Sequence, residues 1–250
     1  MCSFDKYNFT IMSIFNSQHK IIEIIEHDCD LLPVLNRFGI KLGFGDITIE
    51  QACVQNKIDQ VFFLAIINVY HSENYFPEHT FTHFKITDII PYLIETHRYY
   101  KQYLLPELER LCNILILKNT KQNEILVLLE KMFVNFKNEY NKHISNEEKK
   151  IFPLILELNA NVHAGIPISK GVADFNFVNI HSQLDDKIID IKNLLIKYLP
   201  PLDDANNCNA FAIAIFRFEK DIKDHARIEE RILYPRVNEL ISKSSASNEK

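Results

Sequence analysis

The chain has 250 residues, which is enough for one large domain or two small ones. Hydrophobic residues make up 47% of it and only five glycines and nine prolines occur, so the composition favours a helical protein with a sizeable core over a loop-rich chain. The net charge of -5 and the lack of an extended basic block give nucleic-acid binding no electrostatic support.

Five scattered cysteines without a CxxC pair predict reduced thiols rather than a disulfide framework. The first residues carry no basic segment followed by an apolar one, so no signal peptide is predicted. The longest apolar run, residues 61–67, is far too short to cross a bilayer. These features predict a soluble cytoplasmic protein without membrane association.

Residues 1–75 are predicted to form a small helical domain. Apolar residues recur at helical intervals over residues 21–38, where Pro33 breaks or starts a helix. Three of the five glycines fall within residues 39–45, which predicts a tight turn. Thr48 is suited to cap the next helix, and a further apolar helix follows it.

Residues 76–85 are predicted to be a linker, and residues 86–242 a bundle of four long helices. Apolar side chains recur every three or four positions, which is typical of amphipathic helices. Modest loops between the helices favour an up-down-up-down order. The predicted helices cover residues 89–117, 123–158, 172–198 and 210–241. Residues 243–250 are predicted to be a disordered tail.

Prolines punctuate the predicted bundle at three places. Proline removes a backbone donor and crowds the preceding turn of a helix. We therefore expect a kink or an interruption at Pro106, and kinks or helix ends at Pro153 and Pro235.

Two eleven-residue stretches of the predicted bundle share one skeleton. HISNEEKKIFP begins at residue 143 and HARIEERILYP at residue 225; each has a histidine, glutamates four and five residues later, and a final aromatic–proline pair. Residues i and i+4 share a helix face, so each histidine would point the same way as the first glutamate. The pairs are His143 with Glu147 and His225 with Glu229. Such pairs on two helices can hold two metal ions in a bundle core.

One such pair is a weak signal, because short motifs also arise by chance; we take the copy at His19 and Glu23 as accidental. The two other copies lie at similar depth on the second and fourth helices, and the first and third helices each offer one more histidine. The predicted metal ligands are His97, His143, Glu147, His181, His225 and Glu229. Two ions bridged by the two glutamates would keep a position open for a small diatomic molecule or a peroxide.

Other roles suit some of these residues when each is taken alone. A lone histidine is more often hydrogen-bonded or exposed than a ligand, and we expect His71, His79, His83 and His163 to lie exposed in loops. Each second glutamate of the repeat points about 100° away from the proposed ligands on a helix and is predicted to be solvated. These second glutamates are Glu148 and Glu230.

This arrangement resembles the hemerythrin-like bundle, and more closely the repair-of-iron-centres (RIC) di-iron proteins. In that family a leucine–proline–glutamate–leucine stretch follows the first histidine, as residues 105–108 follow His97 here. The two eleven-residue stretches match the family's motifs, as do the two prolines and the nearby cysteine before the fourth helix. Those residues are Pro200, Pro201 and Cys208. The resemblance covers roughly residues 85–240.

The N-terminal region is similar to the short N-terminal domain of the same family, with one departure. The family usually carries two adjacent cysteines just after a glycine–isoleucine pair. Here residues 41–46 hold no cysteine. Cys29 and Cys53 lie elsewhere in this region, and we interpret both as small buried apolar residues.

The resemblance implies a non-haem di-iron centre with carboxylate and oxo bridges. It implies a role in nitrosative or oxidative stress, with O2 or NO as ligand and iron–sulfur proteins as clients. Manganese or zinc would accept much of the same ligand set. Three hypotheses stay open: a di-iron repair protein, a sensing module that signals through its N-terminal domain, and a metal-free helical interaction protein. Catalytic turnover and simple metal binding both fit this ligand set. A homodimer also fits the sequence.

Overall fold

The computed structural model describes residues 14–76, 84–118, 124–166, 182–202 and 204–247. These residues are helical or irregular, and the extended pairing among them is one isolated bridge between Lys20 and Thr48. The predicted all-α class is confirmed. The chain divides into two compact units, Met1–Pro77 and Glu78–Lys250. No helix within the described ranges is both long enough and apolar enough to span a membrane.

Residues 14–76 of the N-terminal unit contain four short α-helices and one 3-10 turn. Thr48 and Gln51 form a reciprocal capping box at the start of the third helix, and Asp59 caps the fourth by accepting a hydrogen bond from the Phe62 amide. Gly39 lies just after the second helix with a φ of 80°, which only glycine adopts without strain. The helices are α1 (Ile21–His27), α2 (Leu32–Arg37), α3 (Ile49–Asn56) and α4 (Gln60–His71).

His71 differs from its sequence-based prediction. It is the last residue of α4 and is buried, whereas an exposed loop position was expected. Its Nδ1 lies 2.9 Å from Oδ2 of Asp28, and its ring packs against Phe15 with centroids 4.5 Å apart. The prediction was wrong because the polar residues that follow His71 mask the end of an apolar helix. His79 and His83 lie outside the described residues. His163 is exposed as predicted, but it ends the helix Phe152–His163 instead of lying in a loop.

The cysteines of the described residues differ in exposure: Cys53 and Cys112 are buried, Cys208 is partly buried and Cys29 is exposed. Cys53 is buried in the N-terminal unit as predicted, but Cys29 is exposed, so its interpretation as a buried apolar residue was wrong. Burial, with a smaller contribution from Asp59, raises the pKa of the Cys53 thiol to about 11. Burial, with smaller contributions from nearby glutamates, raises the pKa of Cys112 in the second unit to about 12.

These thiols should therefore differ in reactivity in the native protein. A raised pKa lowers the thiolate fraction at pH 8, and the thiolate is the nucleophile. We expect Cys53 and Cys112 to react with iodoacetamide on the order of 100-fold more slowly than Cys29, or slower still. Peptide mass spectrometry after timed labelling measures each rate. In urea the three rates should converge; equal rates in the native protein would contradict the burial of the two slow thiols.

The described part of the second unit contains four long helices. They are α5 (residues 86–118), α6 (124–163), α7 (182–198) and α8 (205–247); a π turn lies within α5, α6 and α8, and α7 ends in one. Helix α5 packs against α6 and α8, and α7 packs against the same two helices on the other side. The four helices therefore form a closed ring around one core, as expected for a four-helix bundle.

Contacts between neighbouring helices show that they run antiparallel. Going along α5, Lys101 pairs with Glu148 and Lys137 with Glu109, so α6 runs in the opposite direction. Helices α5 and α8 are also antiparallel, because the start of α5 contacts the later part of α8 and the end of α5 contacts the start of α8. These are His97 with His225, Tyr100 with Asp221, and Lys118 with Asp204. The predicted up-down-up-down order is confirmed for these helices.

Each predicted proline interruption is instead a π turn inside a continuous helix. The π turns Tyr100–Leu104, Glu147–Ile151 and Glu229–Leu233 each end two residues before a proline. After each turn, the residue before the proline donates its amide to the carbonyl five residues back. The wider turn moves the proline ring away from the carbonyl it would otherwise meet, so the helix continues. The prolines are Pro106, Pro153 and Pro235.

Helix bounds differ from prediction at the C-terminal side of the bundle. The last helix begins at Ala205 and continues to Ser247, so the disordered tail predicted for 243–250 is wrong for residues 243–247. Asp204 caps this helix by accepting a hydrogen bond from the Asn207 amide, and the predicted start at residue 210 overlooked that cap. The predicted first part of the third helix, residues 172–181, lies outside the described residues.

Candidate metal centre

Four of the six predicted ligands meet in the middle of the bundle. His97 comes from α5, Glu147 from α6, and His225 and Glu229 from α8. One nitrogen or oxygen of each lies within 4.8 Å of those of the other three. All four side chains are buried, and His97 and both glutamates have no exposed surface. We call these four residues the His–Glu cluster.

The ring nitrogens and carboxylate oxygens of the cluster face a common centre. Nε2 of His97 lies 3.1 Å from Nε2 of His225 and 3.4 Å from Oε2 of Glu147. Nε2 of His225 lies 3.4 Å from Oε1 of Glu229 on the next turn of its own helix. The i and i+4 spacing thus aligns each pair, and the antiparallel packing of α5 on α8 brings the two imidazoles together.

His143 lies beside the cluster rather than within it. Its Nε2 is 3.2 Å from Oε1 of Glu147, while the other oxygen of Glu147 faces His97. Glu147 therefore stands between two imidazoles, as a carboxylate that bridges two ions would. His181, the sixth predicted ligand, lies outside the described residues.

Aromatic rings surround the cluster. Phe152 stacks on the His97 imidazole with centroids 5.6 Å apart and planes 11° apart. Tyr100 meets the His225 ring edge-on at 5.7 Å, and Tyr140 packs against His143 at 6.0 Å. This apolar surrounding lowers the pKa of His97 through burial, which keeps its imidazole neutral. A neutral imidazole is the form that binds metal.

The bundle also matches a known family. The hemerythrin HHE cation binding domain matches residues 88–237, which include all six predicted ligands. The chain belongs to the hemerythrin HHE cation-binding family. The sequence-based identification of a hemerythrin-like protein is confirmed.

One relative of this hemerythrin-family chain is an iron–sulfur cluster repair protein. The chain is 24% identical over 152 residues to the iron–sulfur cluster repair protein YtfE of Musicola paradisiaca strain Ech703. The match covers 61% of this chain and 65% of the relative, so it spans less than two thirds of the relative's length. This similarity supports the predicted likeness to repair-of-iron-centres proteins.

The donor set of this hemerythrin domain fits a metal cation. Burying two carboxylates and two imidazoles costs free energy because the groups lose their contacts with water, and a bound dication offsets that cost. Imidazole nitrogen with carboxylate oxygen suits iron, zinc and manganese rather than calcium or a soft copper ion. Each cluster side chain is at most 2% exposed, so bulk water does not compete for the donor atoms.

Glu148 has a role that the sequence-based interpretation missed. It was predicted to be solvated, but its Oε1 lies 3.4 Å from Nδ1 of His97, at the edge of the ring that points away from the cluster. Lys101 pairs with the same carboxylate at 2.8 Å. Contact with His97, and then Lys101, lowers the pKa of Glu148 to about 2. Its counterpart in the repeat, Glu230, is exposed as predicted.

This contact suits a residue that orients a metal-binding imidazole. A carboxylate at Nδ1 favours the tautomer whose Nε2 lone pair faces the cluster. The distance is long for a hydrogen bond, and ligand binding at Nε2 would draw the Nδ1 proton closer to the carboxylate. The sequence shows a second glutamate in each copy of the repeat, Glu148 and Glu230, but gives no sign that they differ. Only the packing of α6 on α5 places Glu148 against His97.

Glu148→Ala should weaken metal binding by about 10- to 100-fold, the usual effect of removing such a partner. Isothermal titration of the metal-free protein with Fe(II) or Zn(II) measures the affinity. Glu148→Gln should lose less, because the amide oxygen can still accept from Nδ1. Glu230→Ala is the matched control and should bind as the parent does. Equal affinity for Glu148→Ala and Glu230→Ala would show that Glu148 does not orient His97.

Proposed function

We propose that this chain is a non-haem di-iron protein that takes part in the repair of iron–sulfur clusters under nitrosative or oxidative stress. The buried His–Glu cluster within a hemerythrin HHE domain carries the proposal. The similarity to a YtfE repair protein supports the finer function. Iron–sulfur proteins would be the clients, NO or O2 the small ligand, and the cytoplasm the compartment.

Six side chains would hold the two iron ions in this proposal. Glu147 and Glu229 would bridge the ions, and the four histidines would be terminal ligands: His97, His143, His181 and His225. Oxygen and nitrogen donors of this kind stabilise both the ferrous and the ferric state, so the bound pair would supply one-electron chemistry and transferable iron. The chain's own part is to hold neutral imidazoles in place and to exclude water with Phe152 and Tyr100.

Elemental analysis of protein from iron-replete cells tests the metal part of the proposal. We expect about two iron ions per chain, together with near-UV charge-transfer absorbance of the ferric form. A content well below one transition-metal ion per chain would overturn the site. A content of two zinc or manganese ions per chain would support the site but show that its metal is not iron.

A repair assay tests the biological part. The iron-loaded chain should restore activity to an iron–sulfur enzyme damaged by nitric oxide, and the metal-free chain should not. The alternative is a sensor that signals through the N-terminal unit, whose residues 41–46 lack the cysteine pair of the related family. Loss of repair with retained iron, together with metal-dependent capture of a partner by the full chain, would favour sensing over repair.

A further inference from the structure

Three tyrosines of α5 form a row of ring contacts that starts at the His–Glu cluster. The ring of Tyr100 lies edge-on to the His225 imidazole, with centroids 5.7 Å apart and planes at 80°. Tyr99 follows at 6.1 Å from Tyr100, and Tyr103 stacks on Tyr99 at 5.5 Å with planes 25° apart. We call Tyr100, Tyr99 and Tyr103 the tyrosine chain.

The tyrosine chain runs from the interior to the surface. Tyr100 has no exposed surface, Tyr99 is partly buried, and Tyr103 is 60% exposed. The i and i+4 spacing stacks Tyr99 on Tyr103 on the outer side of α5. Tyr100 begins the π turn and points inward, against the aromatic side chains Tyr140 and Phe218. Each member of the chain is therefore in ring contact with the next.

Tyr100 also has a proton acceptor in place. Its hydroxyl donates a hydrogen bond to Oδ1 of Asp221 on α8, with the two oxygens 2.5 Å apart. A phenol that loses an electron becomes strongly acidic, so oxidation of tyrosine is far easier when a base takes the proton at the same time. A carboxylate at such a short distance from the hydroxyl meets this need. Asp221 is partly buried at the side of the bundle.

We propose that the tyrosine chain is a one-electron path that carries oxidising equivalents from the buried site to the protein surface. The proposal rests on the proposed function in one respect, namely that the site meets an oxidant. The class of oxidant is a peroxide. The path removes a strong oxidant from the imidazoles and carboxylates that would hold the metal.

Each step of the path balances in electrons and protons. Tyr100 gives one electron toward the site, its O–H bond breaks, and the proton passes to the Asp221 carboxylate. Tyr99 then returns one electron to Tyr100, which takes its proton back from Asp221, and Tyr99 releases a proton to water. Tyr103 restores Tyr99 in the same way and ends as the surface radical. Over two passes, one hydrogen peroxide gains two electrons and two protons and becomes two water molecules, while thiols outside the protein supply the electrons.

Flash oxidation of the full-length protein as purified tests the path without relying on iron. Photo-excited ruthenium tris-bipyridine with persulfate oxidises exposed tyrosines, and electron paramagnetic resonance records the radicals. Without a thiol present, we expect the radical to pass inward along the same ring contacts and to persist on Tyr100, because Asp221 accepts its proton; an added thiol should remove it through Tyr103. Tyr100→Phe should lose the long-lived signal, and so should Asp221→Asn, which keeps every ring in place. If Asp221 had a purely structural role, Asp221→Asn would leave the long-lived signal unchanged.

Tyr198→Phe is the matched control for this experiment. Tyr198 is 64% exposed, similar to the 60% exposure of Tyr103. Unlike Tyr103, which stacks on Tyr99, it has no ring contact with another described side chain. Its replacement should leave the long-lived signal unchanged. The path is overturned if Tyr100→Phe and Tyr198→Phe give the same radical yield and lifetime.

A second experiment links the path to the site. Iron-loaded protein treated with hydrogen peroxide should be oxidised at Tyr103, as mapped by peptide mass spectrometry, and Tyr100→Phe should reduce that oxidation several-fold. Zinc-loaded protein should show none. If the protein retains no iron, the proposed function fails while the flash experiment still decides the path. If iron is retained and peroxide is consumed, equal Tyr103 oxidation in the parent and in Tyr100→Phe overturns the path.

Discussion

Replacing both Glu147 and Glu229 with alanine should abolish metal retention. Both carboxylates are buried in the His–Glu cluster, and Glu147 faces the imidazoles of His97 and His143 with its two oxygens. The double variant would keep the histidines but lose both of the proposed bridging groups and the negative charge that would offset the cations. We expect metal content to fall from about two ions per chain to background, with loss of the near-UV absorbance.

Glu148 contacts His97, and we expect it to orient that ring, so the control for this result must avoid it. Glu230→Ala serves this purpose, because Glu230 follows Glu229 directly and is exposed. Far-UV circular dichroism of the metal-free proteins checks that the double variant is folded. If it is not, Glu147→Gln with Glu229→Gln keeps the side-chain volume and removes the charge. Retention of both ions by a folded double variant would mean that the ligands lie elsewhere.

Metal binding should also be visible in the stability of the parent protein. A ligand that binds only the folded state stabilises it by about 4 kcal/mol at a free concentration 1,000 times its dissociation constant. Chelation should therefore lower the thermal midpoint of the parent protein. The same treatment should leave the midpoint of the double glutamate variant unchanged.

Phe218→Ala should be the most damaging single substitution in the core below the site. Phe218 has no exposed surface and meets the rings of Tyr100, Phe136 and Tyr140 edge-on at 5.6 to 5.8 Å. Its removal leaves a cavity among these rings, which cannot close around it. We expect a loss of about 3–5 kcal/mol in the free energy of unfolding, measured by urea denaturation.

Phe216→Ala provides the matched comparison on the same helix. Phe216 is 46% exposed, and the described contact of its ring is with the Lys192 ammonium, 5.2 Å from the centroid. We expect its loss to cost no more than about 1 kcal/mol. Similar losses for both variants would contradict the packing of Phe218 against the three rings.

Local features of the chain were sufficient to predict the helices. The apolar repeat of α5, α6 and α8 and the spacing of His143 with Glu147 are properties of neighbouring residues, so they can be recognised without any knowledge of packing. The cap at Thr48 was predictable for the same reason. The prolines were also recognised, but the predicted interruption or helix end was wrong, because a π turn precedes each proline and the helix continues through it.

Contacts between distant residues depended on the tertiary structure. Glu148 and Glu230 occupy the same position in two copies of one repeat, yet Glu148 meets His97 while Glu230 is exposed. His71 is buried because Asp28 and Phe15 lie against it, and both are more than 40 positions away. Nothing near these residues in the sequence distinguishes the two outcomes.

The sequence by itself therefore determined an all-α chain, the hemerythrin-like character of its bundle and six candidate ligands. Helix periodicity and i, i+4 spacing arise within one helix, so they can be predicted from local order. Only the tertiary structure decided that the Nε2 atoms of His97 and His225 lie 3.1 Å apart, that Glu148 contacts His97, and that Tyr100 lies between His225 and Asp221. Those contacts join different helices, and the antiparallel packing of α5 against α6 and α8 sets them.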